Sequence, residues 1–109
     1  MHLTMPAGSF SRSTESHSQI KVGMGTIAAR HARTAIGLAV QVAAIHLLAL
    51  AQATDLHRPP HLAPATRTAH TVLRQHSASV EQDRPLDADI PLVTDLINTA
   101  AIRSQVSIA

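Results

Sequence analysis

Length, composition and charge limit what this chain can be. Its 109 residues allow one small domain at most, and they include one Phe but no Tyr, Trp or Cys. Because aromatic rings normally supply much of the buried area of a core, an independent core would be weak. A chain without cysteine forms no disulfide and no thiolate zinc site. The net charge of +2 comes from scattered basic residues, which favours solvated helix faces over a nucleic-acid partner.

The first 22 residues predict an irregular segment. They contain Pro6, Gly8 and five serines, and they show no helical period. They also lack a basic region followed by an apolar region, so they do not have the pattern of a secretory signal. We therefore expect a cytoplasmic protein.

A long helix is predicted over residues 24–53, where good helix formers and apolar residues are interrupted only by glycines. Its middle part, 35-AIGLAVQVAAIHLLALA-51, is apolar almost all the way round, which is typical of a buried bundle helix or a membrane span. Gln41, His46 and the lack of a Trp or Tyr belt favour the bundle helix and no membrane. So short a chain cannot cover such a helix on every side, and a partner is implied.

The remaining residues predict short helices. Residues 54–64 form a connector around paired prolines, and residues 65–109 carry the short helices, the first over 65–76. A third helix begins at Asp89 or Ile90, with Pro91 in its first turn, and a short turn covers 100–106. The expected apolar positions are Ala65, Ala69, Val72, Leu73, Leu92, Val93, Leu96 and Ile97. The fold class is therefore all-α: a long central bundle helix plus two or three short helices after an irregular N-terminal segment.

Eight histidines raise the question of a metal site. His57 and His61 are four residues apart, but two prolines lie between them, so they cannot share a helix face. No HExxH or HxH pattern is present. Scattered surface or packing histidines are the better interpretation, with His46 as a core or interface residue, and no metal ligand is assigned.

The polar residues ahead of the long helix form the only other candidate site. Glu15 and Gln19 lie four residues apart at the predicted helix entry. A carboxylate could hold or deprotonate an ammonium group there, while the amide orients a zwitterionic ligand. On the residues alone, helix capping is the simpler interpretation.

Three segments, in order, resemble the C-terminal part of one enzyme family. They are MPAGSFSRSTESHSQIKVGMGTIAARHAR near the N-terminus, 44-AIHLLALAQATDL-56 and 82-QDRPLDADI-90. They are similar to the aromatic amino acid lyases, which include histidine, phenylalanine and tyrosine ammonia-lyases and the related 2,3-aminomutases. The first segment is most similar to the bacterial tyrosine and phenylalanine branch.

The resemblance implies a largely helical fold whose central helices bundle across a homotetramer. It also implies elimination of ammonia from Phe, Tyr or His, or migration of the amino group to the β-carbon. The family's prosthetic group is a methylidene-imidazolone formed from an internal Ala-Ser-Gly. Its active sites take residues from several subunits.

Site positions follow from the same resemblance. Glu15 matches the acidic residue on the amine side of the substrate pocket, and Gln19 matches the glutamine beside the prosthetic group. His17 matches a family position without an assigned role. Three positions depart from the family pattern, with Ser18 in place of Asn, Ile20 in place of Asp, and Gly23 in place of a Ser that we expect to be the helix N-cap.

The family's electrophile and catalytic base have no counterpart in this sequence. Ala7-Gly8-Ser9 has the composition of Ala-Ser-Gly in the wrong order, and the catalytic base of the family is a tyrosine, which this chain lacks. We expect a single C-terminal fragment, 1–109, that is inactive alone and carries no cofactor. It would associate with itself, with a lyase N-terminal part or with a full-length lyase. The alternatives are a non-enzymatic helical interaction module or decayed fragment and, third, a small membrane protein.

Overall fold

The computed structural model describes residue 5 and residues 23–108, with side chains to residue 106. In this part of the chain four α-helices form and no strand is present. They are α1 (Gly25–His57), α2 (Pro64–His76), α3 (Asp89–Asn98) and α4 (Ala101–Ile108). The prediction of an all-α fold with one long helix is confirmed. The predicted irregular segment, residues 1–22, lies outside the described residues apart from Met5.

Helix α1 begins one residue later than predicted and ends later. The carbonyl of Met24 accepts the N–H of Ala28 at 2.9 Å, so Met24 is the N-cap residue and the prediction that Gly23 is the N-cap is wrong. At the other end, the Arg58 N–H donates to Thr54 at 3.0 Å, and Arg58 has a φ of 44°. A proline restricts the backbone conformation of the residue before it but not that of the preceding helical turn. Helix α1 therefore continues through residues 54–57, which we predicted to be part of the connector.

The chain divides into two compact units, residues 1–39 and 40–109. The described part of the first unit, 23–39, contains the beginning of α1, and its side chains are exposed apart from the half-buried Met24 and His31. The second unit contains the rest of α1 and the three short helices. The hydrophobic core described next lies entirely within this second unit.

The core is small because one narrow stripe of α1 supplies much of it. Ala44, Leu48 and Ala51 are buried at a spacing of four and three residues, which places them on one helix face. Leu73 of α2 and Val93 of α3 complete the buried cluster. Partly buried side chains pack around it: Leu47, Ile90, Ile97 and Ile102.

Much of the remaining apolar surface of α1 is exposed. In the second unit the exposed fractions reach 53% for Val42, 63% for Leu50 and 75% for Leu56. His46 is also exposed, so it is not a core residue in this chain, and its alternative role as an interface residue stays a prediction. By length and composition alone, α1 could cross a membrane, a test that core helices of soluble proteins also pass.

The short helices pack on one another, α2 against α3 and α4, and α3 against α4. Pro64 lies in the first turn of α2 and Pro91 in that of α3, where a missing N–H costs no helical hydrogen bond. The last segment is a full helix of eight residues, longer than the short turn predicted over 100–106. Of the residues predicted for the apolar faces of α2 and α3, Ala65 and Leu92 are exposed.

Candidate functional site

The site residues predicted by resemblance can be located only in part. Glu15, His17, Ser18, Gln19 and Ile20 lie outside the described residues. Gly23 is described, and a Cβ added to it would meet no described atom within 4 Å. The serine of the family pattern would therefore fit at this position without a clash.

The described residues form a polar cluster where the C-terminal part of α1 meets α2. Asp55 projects from α1 between His70 and Arg74, which lie four residues apart on one face of α2. Nε2 of His70 lies 2.7 Å from Oδ1 of Asp55, and Nη2 of Arg74 lies 2.6 Å from Oδ2. The Arg74 contact is an ion pair rather than a hydrogen bond, because Oδ2 accepts no aligned N–H from the described residues.

Gln52, one turn before Asp55, connects α1 to the segment that follows α2. Its Nε2 donates to the carbonyl of Val80 at 2.9 Å, and its Oε1 accepts the Val80 N–H at 2.9 Å. The amide thus satisfies both backbone groups of one residue. Nη1 of Arg74 supports the same segment by donating to the carbonyl of Ser77 at 3.2 Å.

A second carboxylate fixes the start of α3. The hydroxyl of Ser77 donates to Oδ2 of Asp89 at 2.6 Å, and Nη2 of Arg84 lies 2.7 Å from the same oxygen. Asp89 lies in the first turn of α3, where the helix dipole favours negative charge. Both Ser77 and Asp89 are buried, so each supplies the hydrogen-bond partner that the other needs.

The two carboxylates have lowered pKa values. For Asp55, partial burial alone would raise the pKa, but the His70 hydrogen bond and the contact and charge of Arg74 outweigh it. For Asp89, the contact with Arg84 lowers the pKa most and the Ser77 hydrogen bond adds to it. Both groups therefore bind fewer protons in the folded chain than in the unfolded chain.

This difference predicts that stability decreases in acid. The contribution of each carboxylate is complete above the ordinary aspartate pKa of about 3.9 and is lost as the pH falls through the lowered value. In urea unfolding followed by circular dichroism between pH 7 and pH 2, Asp89→Asn should be less stable at pH 7 and should lose less stability below pH 4. Asp83→Asn, an exposed aspartate of the same segment, is the control. An Asp89→Asn profile parallel to that of the unsubstituted chain would contradict the assignment.

The geometry of the cluster is that of a structural connection between elements. In the described part of the chain, no three His, Asp or Glu side chains converge as metal ligands. No sequence pattern indicates the Asp55–His70 contact, because the two residues are 15 positions apart and belong to different helices. Asp55 and Gln52 do occur in the family-like segment 44–56, where we assigned them no role.

The described residues define the class of helical proteins that are built around one long, largely apolar helix. A sequence model described as "Aromatic amino acid lyase" matches residues 1–75. The chain therefore belongs to the aromatic amino acid lyase family.

Individual relatives agree with this assignment. The chain is 38% identical over 100 residues to a histidine ammonia-lyase of Symbiobacterium thermophilum and 37% identical over 106 residues to a tyrosine ammonia-lyase of Cereibacter sphaeroides. It covers 20% of each relative, and 92% and 94% of this chain are aligned. Members of the histidine and tyrosine branches are thus similar to this chain at almost equal identity.

A solved structure shows the same fold. The chain superposes on tyrosine aminomutase from Streptomyces globisporus with a TM-score of 0.83 and 30% sequence identity. The match covers 94% of this chain and 20% of that chain. The chain thus spans about a fifth of the length of the relatives that it matches, and its helices have the arrangement found in that part of the aminomutase.

Proposed function

We propose that the chain is a C-terminal helical part of an aromatic amino acid ammonia-lyase or 2,3-aminomutase and that it has no turnover alone. The observation that supports this most strongly is the likeness to one fifth of a tyrosine aminomutase over 94% of this chain. Active sites of enzymes need several groups held together, and few of the family's groups are present here. The parent reaction would be elimination or migration of the amino group of Phe, Tyr or His.

Lack of turnover is argued from the residues themselves. The printed sequence has no Ala-Ser-Gly and no tyrosine, so this chain's residues do not fit the formation of a methylidene-imidazolone. The residues that this chain would contribute are Glu15, whose carboxylate would hold the substrate ammonium, and Gln19, whose amide would orient it.

Association is the second part of the proposal. Exposed apolar side chains on α1, such as Val42, Leu50 and Leu56, gain free energy when another apolar surface covers them. We propose that this surface packs on helices of a lyase N-terminal part, a full-length lyase or a second copy of the chain in the cytoplasm. Neither a membrane nor a nucleic acid is part of the proposal.

Turnover can be measured directly. The purified chain, incubated separately with Phe, Tyr and His, should give no increase in the absorbance of cinnamate, coumarate or urocanate. A full-length ammonia-lyase in the same assay is the positive control. Product formation by the chain alone would disprove the proposed lack of activity.

A non-enzymatic interaction module is the second candidate function. It is favoured by the departures at Ser18, Ile20 and Gly23, which affect the site motif while the apolar α1 is retained. Co-expression with a lyase truncated before this region separates the two candidates. Restored activity that Glu15→Gln abolishes and Glu81→Gln preserves would support the enzyme part. Co-purification without activity would support the module.

A further inference from the structure

One cavity in the second unit is lined by described residues that are not part of the family's site motif. It has a volume of about 280 Å³ and lies between α1 and the segment that joins α2 to α3. Ile45, Leu48 and Ala49 form the α1 side of the wall, and Leu86 and Ile90 form much of the opposite side. We propose that this cavity is a binding site for a small, uncharged, apolar molecule about the size of one aromatic ring.

The volume and lining fit such a ligand. An enclosed apolar cavity of about 150 Å³ lined by Leu, Ile and Phe side chains stays dry and binds benzene or xenon. The present cavity is larger than that and is partly open to solvent, where Ile45 is 47% exposed, and most of its lining is aliphatic. A water molecule in it would find few polar partners, whereas an apolar ring would contact aliphatic carbon on both walls.

The charge of the lining excludes an ionic ligand. Arg74 is the single charged side chain among the described lining residues. Its guanidinium is directed to Asp55, to the carbonyl of Ser77 and to Gln52. Its Nε is enclosed and has no hydrogen-bond partner among the described residues, so a ligand cannot reach it. A carboxylate entering the cavity would lose its hydration and gain no free cation.

The wall opposite α1 is held in place without a ligand. Gln52 binds both backbone groups of Val80, and the Ser77–Asp89 hydrogen bond of 2.6 Å fixes the two ends of the segment against each other. Because these contacts form within the chain itself, little conformational entropy remains to be lost on binding. The cavity is therefore a preformed site.

Benzene is the probe for the test, titrated into the full chain with labelled Ile and Leu methyl groups. Saturable NMR shifts are expected for the methyls of Ile45, Leu48 and Leu86, with nuclear Overhauser effects from benzene to the same groups. The exposed Leu92, outside the cavity, should show neither. Absence of saturable shifts at the cavity methyls would overturn the proposal.

A matched pair of variants locates the site. Ala49→Leu extends the side chain at the cavity wall by an isopropyl group and should abolish the saturable shifts. Ala53→Leu makes the same change at an exposed position of α1 outside the lining and should leave them unchanged. Equal benzene binding by both variants would show that the site is not this cavity. Stronger binding of benzoate than of benzene would overturn the requirement for an uncharged ligand.

Discussion

Replacing Leu73 with alanine is expected to lower the free energy of unfolding by about 2–5 kcal/mol. Leu73 is 3% exposed and belongs to the cluster that joins Leu48 of α1 to Val93 of α3. Truncation removes buried apolar surface and leaves a cavity that the neighbours fill only in part. Domains of this size are stable by about 5–15 kcal/mol, so the loss should be a large part of the total. Urea unfolding followed by circular dichroism measures it.

Leu56→Ala is the matched control for this prediction. Leu56 is 75% exposed on α1, and its truncation should change the free energy of unfolding by less than about 0.5 kcal/mol. If the two variants lost the same stability, the core would not be centred on Leu73.

The existence of α1 could be predicted from the sequence, but its buried face could not. Helix formers and the paired prolines predict a long helix over 24–53, and the structure extends it to His57. Because apolar side chains occur on every face of this helix, the hydrophobic pattern does not indicate which face is buried. The structure places the face with Ala44, Leu48 and Ala51 in the core. The small side chains of Ala44 and Ala51 on that face allow neighbouring elements to pack closely. Hydrophobic periodicity along the sequence does not predict such packing.

Helix α3 shows the same limit on a smaller scale. Leu92 and Val93 are adjacent, so they point about 100° apart and cannot both face the core fully. The structure buries Val93 and leaves Leu92 46% exposed, with Ile90 and Ile97 packed beside Val93. The spacing 90, 93, 97 fits one helix face, and we had considered Ile90 only as a possible helix start. The sequence pattern does not distinguish the face of α3 with Leu92 from the face with Val93, and packing against the other helices determines which one is buried.

The polar residues of interest fall into two groups, one assigned by resemblance and the other found only in the structure. Glu15 and Gln19 were assigned by resemblance, and they lie outside the described residues. The Asp55–His70–Arg74 contacts join two helices across the Pro59–Pro60 connector. No local sequence motif predicts such contacts, because they depend on how α2 packs against the C-terminal part of α1. The family can therefore be identified from the sequence, whereas these polar contacts can be identified only in the folded chain.

Arg74→Met should lower the free energy of unfolding by about 1–3 kcal/mol, the usual cost of leaving enclosed polar groups without a partner. The substitution keeps an aliphatic side chain of similar length, so packing of the stem is largely retained. It removes the ion pair to Asp55 and the hydrogen bonds to the carbonyls of Ser77 and Ala78. The side chains of Arg74 and Asp55 are 16% and 25% exposed, so solvent screens this pair less than a surface pair.

A double-mutant cycle with Asp55→Asn isolates the pair from the rest of the cluster. If the contact stabilises the fold, the cost of Arg74→Met should be smaller by about 0.5 kcal/mol or more when Asp55 is already neutral. Arg67→Met is the control, because Arg67 lies two turns earlier on α2 and is exposed. It should change stability by less than about 0.5 kcal/mol. Equal effects of the two arginine substitutions, with no coupling to Asp55, would mean that the α1–α2 connection depends on apolar packing alone.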